Sequence, residues 1–158
     1  MRILGIDPGT NTTGWAVIES DTMEVIDFGC ICPPKGATAA QKYRIIFDAI
    51  ETLINRYQPR ALSVEGQFMH KNALSALKLG MARGMALLAA EKASLEIAEY
   101  APKKVKKAVV GNGSASKEQV QWMIQKLLGL RELPTPHDAA DALALAICHA
   151  HHLKFNYV

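Results

Sequence analysis

The chain reads as an α/β domain built on a mixed sheet, and three observations predict it. Three strand-like segments open the chain with only turn residues between them, which is an antiparallel meander. The next strand-like segment comes after a helical pattern, so it should return parallel to the first. One more helix and one more strand follow, and three helical patterns close the chain. The order βββαβαβααα gives a five-stranded mixed sheet flanked by helices.

Each element has its own signal. Residues 2–7 are apolar and stop at Pro8-Gly9, so they read as a buried strand. Residues 12–19 and 23–31 read as the second and third strands, with Asp21 in the turn between them. Pro33-Pro34-Lys35-Gly36 breaks the meander. Thr38 is placed to cap a helix to about Tyr57, with Ile45, Ile46, Ala49, Leu53 and Ile54 on one face. Pro59 ends it, and residues 60–65 form the fourth strand. After a loop, Asn72 caps a helix to about Lys92 that is apolar on most faces. Residues 95–100 make a short fifth strand. Pro102 opens a lysine-rich helical turn ending at Gly111-Asn112-Gly113, and Ser116 caps a helix through Leu128. The last helix is expected from His137 to about His152, with Thr135 as cap and Pro136 at its first position.

At 158 residues the chain is expected to be a single domain, 1–158, with a real core. Hydrophobic residues make up 49%, which excludes a disordered chain. The net charge of +3 is compatible with nucleic acid without demanding it. Cys30, Cys32 and Cys148 form neither a disulfide framework nor a four-ligand zinc spacing, so a reducing cytoplasm is expected. No signal-peptide pattern opens the sequence. Residues 73–90 are strongly apolar, but Lys78 and Arg83 interrupt them, so no membrane span is expected.

Four acids carry the functional signal. Asp7 stands at the tip of the first strand, where core packing requires no acid. Glu65 ends the fourth strand, and Asp138 and Asp141 begin the last helix. Each alone has an ordinary reading: a turn residue, a strand-end charge, a helix-start acid. Together they converge. The first and fourth strands should be neighbours, and Asp138 and Asp141, three apart, share a helix face. Close carboxylates raise one another's pKa unless a cation neutralises them. Magnesium suits all-oxygen ligands. Two such ions about 4 Å apart would stabilise the attacking and leaving oxygens of a phosphoryl displacement.

Read in order, the segments resemble the RuvC family of Holliday-junction resolvases. The matching pieces are Gly5-Ile6-Asp7-Pro8-Gly9-Thr10 with Thr13-Gly14, then Val64-Glu65 with Phe68-Met69 and Lys71-Asn72. They continue through Ala76-Leu77-Lys78-Leu79-Gly80, Ala82-Arg83-Gly84, Val105-Lys106-Lys107 and Gly113-Ser114-Ala115 to Asp138-Ala139-Ala140-Asp141. They span nearly the whole chain. Gly66-Gln67 departs from the Gln-Val found in some members. The resemblance implies a ribonuclease-H-like fold, a homodimer and Mg²⁺-dependent symmetric nicking of four-way DNA junctions. Mn²⁺ is the expected substitute ion. It also implies that Asp7, Glu65, Asp138 and Asp141 are the catalytic metal ligands, and that a branch-migration complex of RuvA and RuvB type is the partner.

DNA is expected on other residues. Lys103, Lys104, Lys106 and Lys107 form a basic patch, and Lys117 lies beyond the glycine-rich loop. Lysines on phosphates position a substrate without reading its sequence. The family match singles out Lys106 and Lys117. Phe68 could be a lid over the core or could stack on an unpaired base; the resemblance implies stacking. The helix over residues 72–90 is expected to face the core on one side and a dimer partner on the other. His149, His151 and His152 lack matching ligands and are expected to complement the helix C-terminus.

Two other classes of protein remain at this point. Gly-Ile-Asp-x-Gly-Thr also opens actin-like nucleotide phosphate-binding enzymes, which need a second lobe that this length does not accommodate. A non-catalytic junction-binding module would be expected to have lost the acids, and all four are present.

Overall fold

The structure is a computed structural model, and it describes residues 1–66 and 72–156. Phe68 lies outside the described residues. The elements are β1 (Arg2–Asp7), β2 (Thr13–Glu19), β3 (Glu24–Ile31), α1 (Ala39–Tyr57), β4 (Ala61–Glu65), α2 (Ala73–Lys92), β5 (Glu96–Tyr100), α3 (Pro102–Val110), α4 (Lys117–Leu128) and α5 (His137–Asn156). The sheet order is β3-β2-β1-β4-β5, with β1 central. β2 runs antiparallel to both β1 and β3, while β4 runs parallel to both β1 and β5.

The caps read from the sequence are in place. Thr38 accepts from the Gln41 amide and Ser116 from the Gln119 amide, each within a reciprocal capping box. Asn72 accepts from the amides of Leu74 and Ser75. Several boundaries differ by a residue or more. β3 begins at Glu24 rather than Met23, because Met23 takes a left-handed φ of 59° in the turn. α5 starts at His137, after a cis Thr135–Pro136 bond. The Pro136 carbonyl accepts from the amides of Ala139 and Ala140, so Pro136 precedes the helix instead of occupying its first position. α5 also continues past His152 to Asn156.

The two-residue period of the strands sorts side chains between two layers. Leu4 and Ile6 of β1, with Leu62 and Val64 of β4, pack beneath α1 and α2. Ile3 of β1 and Tyr100 of β5 face the opposite layer of α3, α4 and α5. By the same alternation Asp7 shares the face of Ile3 and Gly5, and Glu65 shares the face of Ser63. Ser63 Oγ donates to the Leu145 carbonyl of α5 at 2.7 Å. Both strand-end acids are thus turned toward α5.

α5 lies unusually close to the sheet, and two glycines permit it. A Cβ on Gly5 would stand 2.1 Å from the Ala142 carbonyl oxygen, and one on Gly14 would stand 1.9 Å from that of Asp138. Both obstacles are main-chain atoms that cannot swing away. Gly5 and Gly14 therefore set how near the start of α5 comes to the end of β1.

The histidines depart from the sequence expectation. His149 is buried and is hydrogen-bonded through Nδ1 to Tyr100 Oη at 2.7 Å. Burial lowers its pKa, so it is no cation complementing a helix end. It is a core tie between α5 and β5. His151 Nδ1–H donates to the Ala108 carbonyl at 2.9 Å, joining α5 to α3.

Candidate active site

β1 and β4 pair with Ile6 beside Val64, so Asp7 and Glu65 end adjacent strands at the same edge. The start of α5, seated over Gly5 and Gly14, delivers Asp141 to that edge. Asp7, Glu65 and Asp141 line one cleft of about 220 Å³ together with Lys106 and Lys117. Its apolar wall is Pro102, Val105, Val120, Ala144 and Leu145. Asp138 does not line the cleft; it sits one turn back on α5, half-buried, and its charge reaches both Asp7 and Asp141.

The electrostatics follow from this crowding. Burial pushes the Asp7 carboxyl up to about 8; the charges of Asp141, Glu65 and Asp138 push the same way, and Lys117 pulls back. Glu65 is raised by burial and then by Asp141, with Lys106 opposing. For Asp141 desolvation by the cleft walls is the largest cause of an upward shift, although its side chain stays open to solvent at the mouth. Lys117 offsets it first, Asp138 adds to it, and His137 and Lys106 draw it down. Two lysines therefore face the acids without neutralising them.

The donor set is all oxygen, and Asp7 does not ionise fully at neutral pH without added positive charge. That chemistry fits a hard divalent cation. Among the described residues no three His, Cys, Asp or Glu side chains are gathered as a ready ligand shell.

The basic patch is divided. Lys106 and Lys117 reach the cleft. Lys104 and Lys107 line a different cavity between α3 and α5, and Lys104 Nζ lies 5.1 Å from the centre of the Tyr100 ring. Lys103 is exposed and lines neither cavity.

One residue was missed by sequence reasoning. Arg83 of α2 is buried, its Nε–H donates to the Glu65 carbonyl at 3.1 Å, and its guanidinium pairs with Glu99 of β5. It pins the main chain of an acid in the cleft. An arginine interrupting a small-residue apolar helix was the available signal, because a buried guanidinium needs partners.

A mixed five-stranded sheet, with acids at one edge and α5 laid across one face, defines an α/β protein of the ribonuclease-H-like class. The sequence profile of the crossover junction endodeoxyribonuclease RuvC family matches residues 3–149, and the chain belongs to that family. The crossover junction endodeoxyribonuclease RuvC of Protochlamydia amoebophila (strain UWE25) is 55% identical over 150 residues, covering 94% of this chain and 89% of the relative. The Thermus thermophilus RuvC structure superposes with a TM-score of 0.90 at 32% identity, covering 99% of this chain and 97% of that one. T. thermophilus RuvC in complex with a Holliday junction substrate gives 0.93 at 33% identity, with 99% and 96% covered.

Proposed function

We propose that the chain is a single-domain, metal-dependent endonuclease that resolves four-way DNA junctions by symmetric paired nicks, acting in the cytoplasm in recombination and repair. The observation that carries this reading is the cleft itself. Three acids that repel one another share 220 Å³ with two lysines, which suits a phosphodiester held against cations. The relatives' junction chemistry supports it.

Asp7, Glu65 and Asp141 would hold the ion, with Asp138 completing the set from the edge. Mg²⁺, two per site, suits these ligands, and Mn²⁺ is the substitute. When bound, the ions supply Lewis-acid stabilisation of charge on the phosphoryl oxygens. Lys106 and Lys117 would bind the phosphate flanking the cleft. Pro102, Val105 and Val120 restrict water on the far wall. Phe68 would stack on an unpaired base at the junction centre.

Two nicks on opposed strands call for two sites, hence a homodimer. α2 supplies the face. Leu74, Leu77, Met81 and Leu88 are 59%, 63%, 43% and 54% exposed along it. Gly80 and Gly84 have open space where a Cβ would stand, so among the described residues nothing uses their small size. A second copy of α2 would cover this stripe. Branch-migration proteins of RuvA and RuvB type would deliver the junction.

Asp7→Asn tests the metal reading. Losing one ligand charge should cut cleavage of a synthetic four-way junction by about 10³, since transition-state charge stabilisation is worth several kcal/mol. Junction binding should persist. Cleavage near the wild-type rate would end this reading.

A further inference from the structure

On the opposite side of Asp7 from Lys106 and Lys117 lies a larger cleft of about 610 Å³. Gly9, Thr10, Asn11, Lys42, Tyr43 and Lys78 line most of it. It begins two residues beyond Asp7, on a turn locked by Thr13, whose Oγ donates to the Gly9 carbonyl at 2.7 Å and accepts from the Gly9 amide at 3.2 Å. A second cleft of about 420 Å³ shares Asn11 and Lys42 and adds Lys35. The two clefts are therefore neighbours that share one wall.

No carboxylate lines either one. Among the described residues Lys35, Lys42 and Lys78 have no acidic partner; Lys42 Nζ instead donates to Asn11 Oδ1 at 3.0 Å. Ala37 and Ala39 bring the N-terminal turn of α1 to the same wall, and that turn holds no acid to oppose the positive end of its dipole. Three lysines without an acidic partner, a helix N-terminus and neutral polar side chains along an open trough suit an extended polyanion rather than a small enclosed ligand.

We propose that these clefts form one groove that carries the sugar-phosphate backbone of a junction arm as it leaves the acid cleft. The acids then lie between two basic flanks, Lys106 and Lys117 on one side and Lys42 with Lys78 on the other. This rests on the reading of the chain as a junction nuclease.

The test measures equilibrium binding of a fluorescent synthetic four-way junction, without divalent ions, across a salt series. Lys42→Glu with Lys78→Glu should lower the slope of log K against log salt by about 1.8, or about 0.9 per phosphate contact. Near 0.1 M salt the same loss weakens binding by about 60-fold. The charge-keeping pair Lys42→Arg with Lys78→Arg should keep the wild-type slope. Should charge reversal unfold the chain, as its melting curve would show, Lys42→Gln with Lys78→Gln gives the same readout. Junction arms trimmed so that they end at the acids should bind wild type and variant alike. A wild-type slope in the neutral or reversed pair, or an equal loss on trimmed arms, overturns the groove. Weakened binding in Lys106→Glu alongside that result leaves the nuclease reading standing; a wild type with no preference for the junction over linear duplex removes that reading instead.

Discussion

α5 and α2 are each 20 residues long, alanine-rich and nearly free of polar periodicity, yet they end in opposite environments. Residues 142–150 of α5 are buried without a break, between the sheet and the helices α3 and α4. α2 buries Ala82, Ala86, Ala89 and Ala90 but leaves four large apolar side chains in solvent. By length and composition α2 could even cross a bilayer, although Arg83 on its buried face is committed to Glu65 and Glu99. Similar composition thus serves two ends. On α5 it permits close docking that places acids, and on α2 it leaves an apolar surface in solvent.

The glycines give the widest separation between the two helices. Gly14→Val sets a side chain against the main chain of Asp138 and should cost more than about 3 kcal/mol, since overpacking against rigid atoms has no cheap relief. At about 2–4 °C per kcal/mol, its melting temperature should fall by roughly 10 °C. Unchanged melting would mean that α5 does not depend on these glycines.

On α2 the expected loss is association rather than folding. Leu77→Lys should leave melting within about 2 °C, as for an exposed substitution. It should shift the protein from dimer to monomer in light scattering at micromolar concentration, because an isologous face buries the new charge twice. A dimer of unchanged mass would remove α2 as the interface.

Arg83 ties α2 to the acid cleft through the Glu65 carbonyl, and its loss should have the smallest effect. Arg83→Gln should lower the cleavage rate at saturating junction by about tenfold with little change in affinity, as supporting residues around metal ligands commonly do. Arg83→Lys should recover part of the rate through the Glu99 pair. A loss confined to affinity would show that Arg83 acts on binding and not on Glu65.

Much of this was legible in the chain. Strand ends, caps and the parallel return of β4 follow from local pattern, and those alone put Asp7 beside Glu65. Gly5 and Gly14 were visible as glycines within strands, a mark of close backbone approach, but which helix approaches is a tertiary fact. The lysine patch was read as one surface, whereas helical spacing already divides it. Pro102, Val105 and Lys106 share one face of α3, and Lys104, Lys107 and Gly111 share the other. Arg83 was hidden because its partners lie on β4 and β5, 18 and 16 positions away, and only sheet pairing brings them together. His149 was misread because its polar partner, Tyr100, is 49 positions away, more remote still.

The central claim is that Asp7 belongs to a carboxylate cluster that needs a cation. Its raised pKa means that the folded, metal-free protein holds a proton there which the unfolded chain releases at much lower pH. The sign follows. Below about pH 4 both states are protonated and the site costs nothing. Between there and about 8 stability falls as pH rises, at up to about 1.4 kcal/mol per pH unit from this group. The decisive measurement is the melting temperature of wild type and Asp7→Asn from pH 5 to 8, with EDTA and then with Mg²⁺. The account predicts that the metal-free variant is the more stable and that its advantage widens as pH rises, while Mg²⁺ raises the wild type far more than the variant. Parallel curves for the two proteins, with the same response to Mg²⁺, would contradict it.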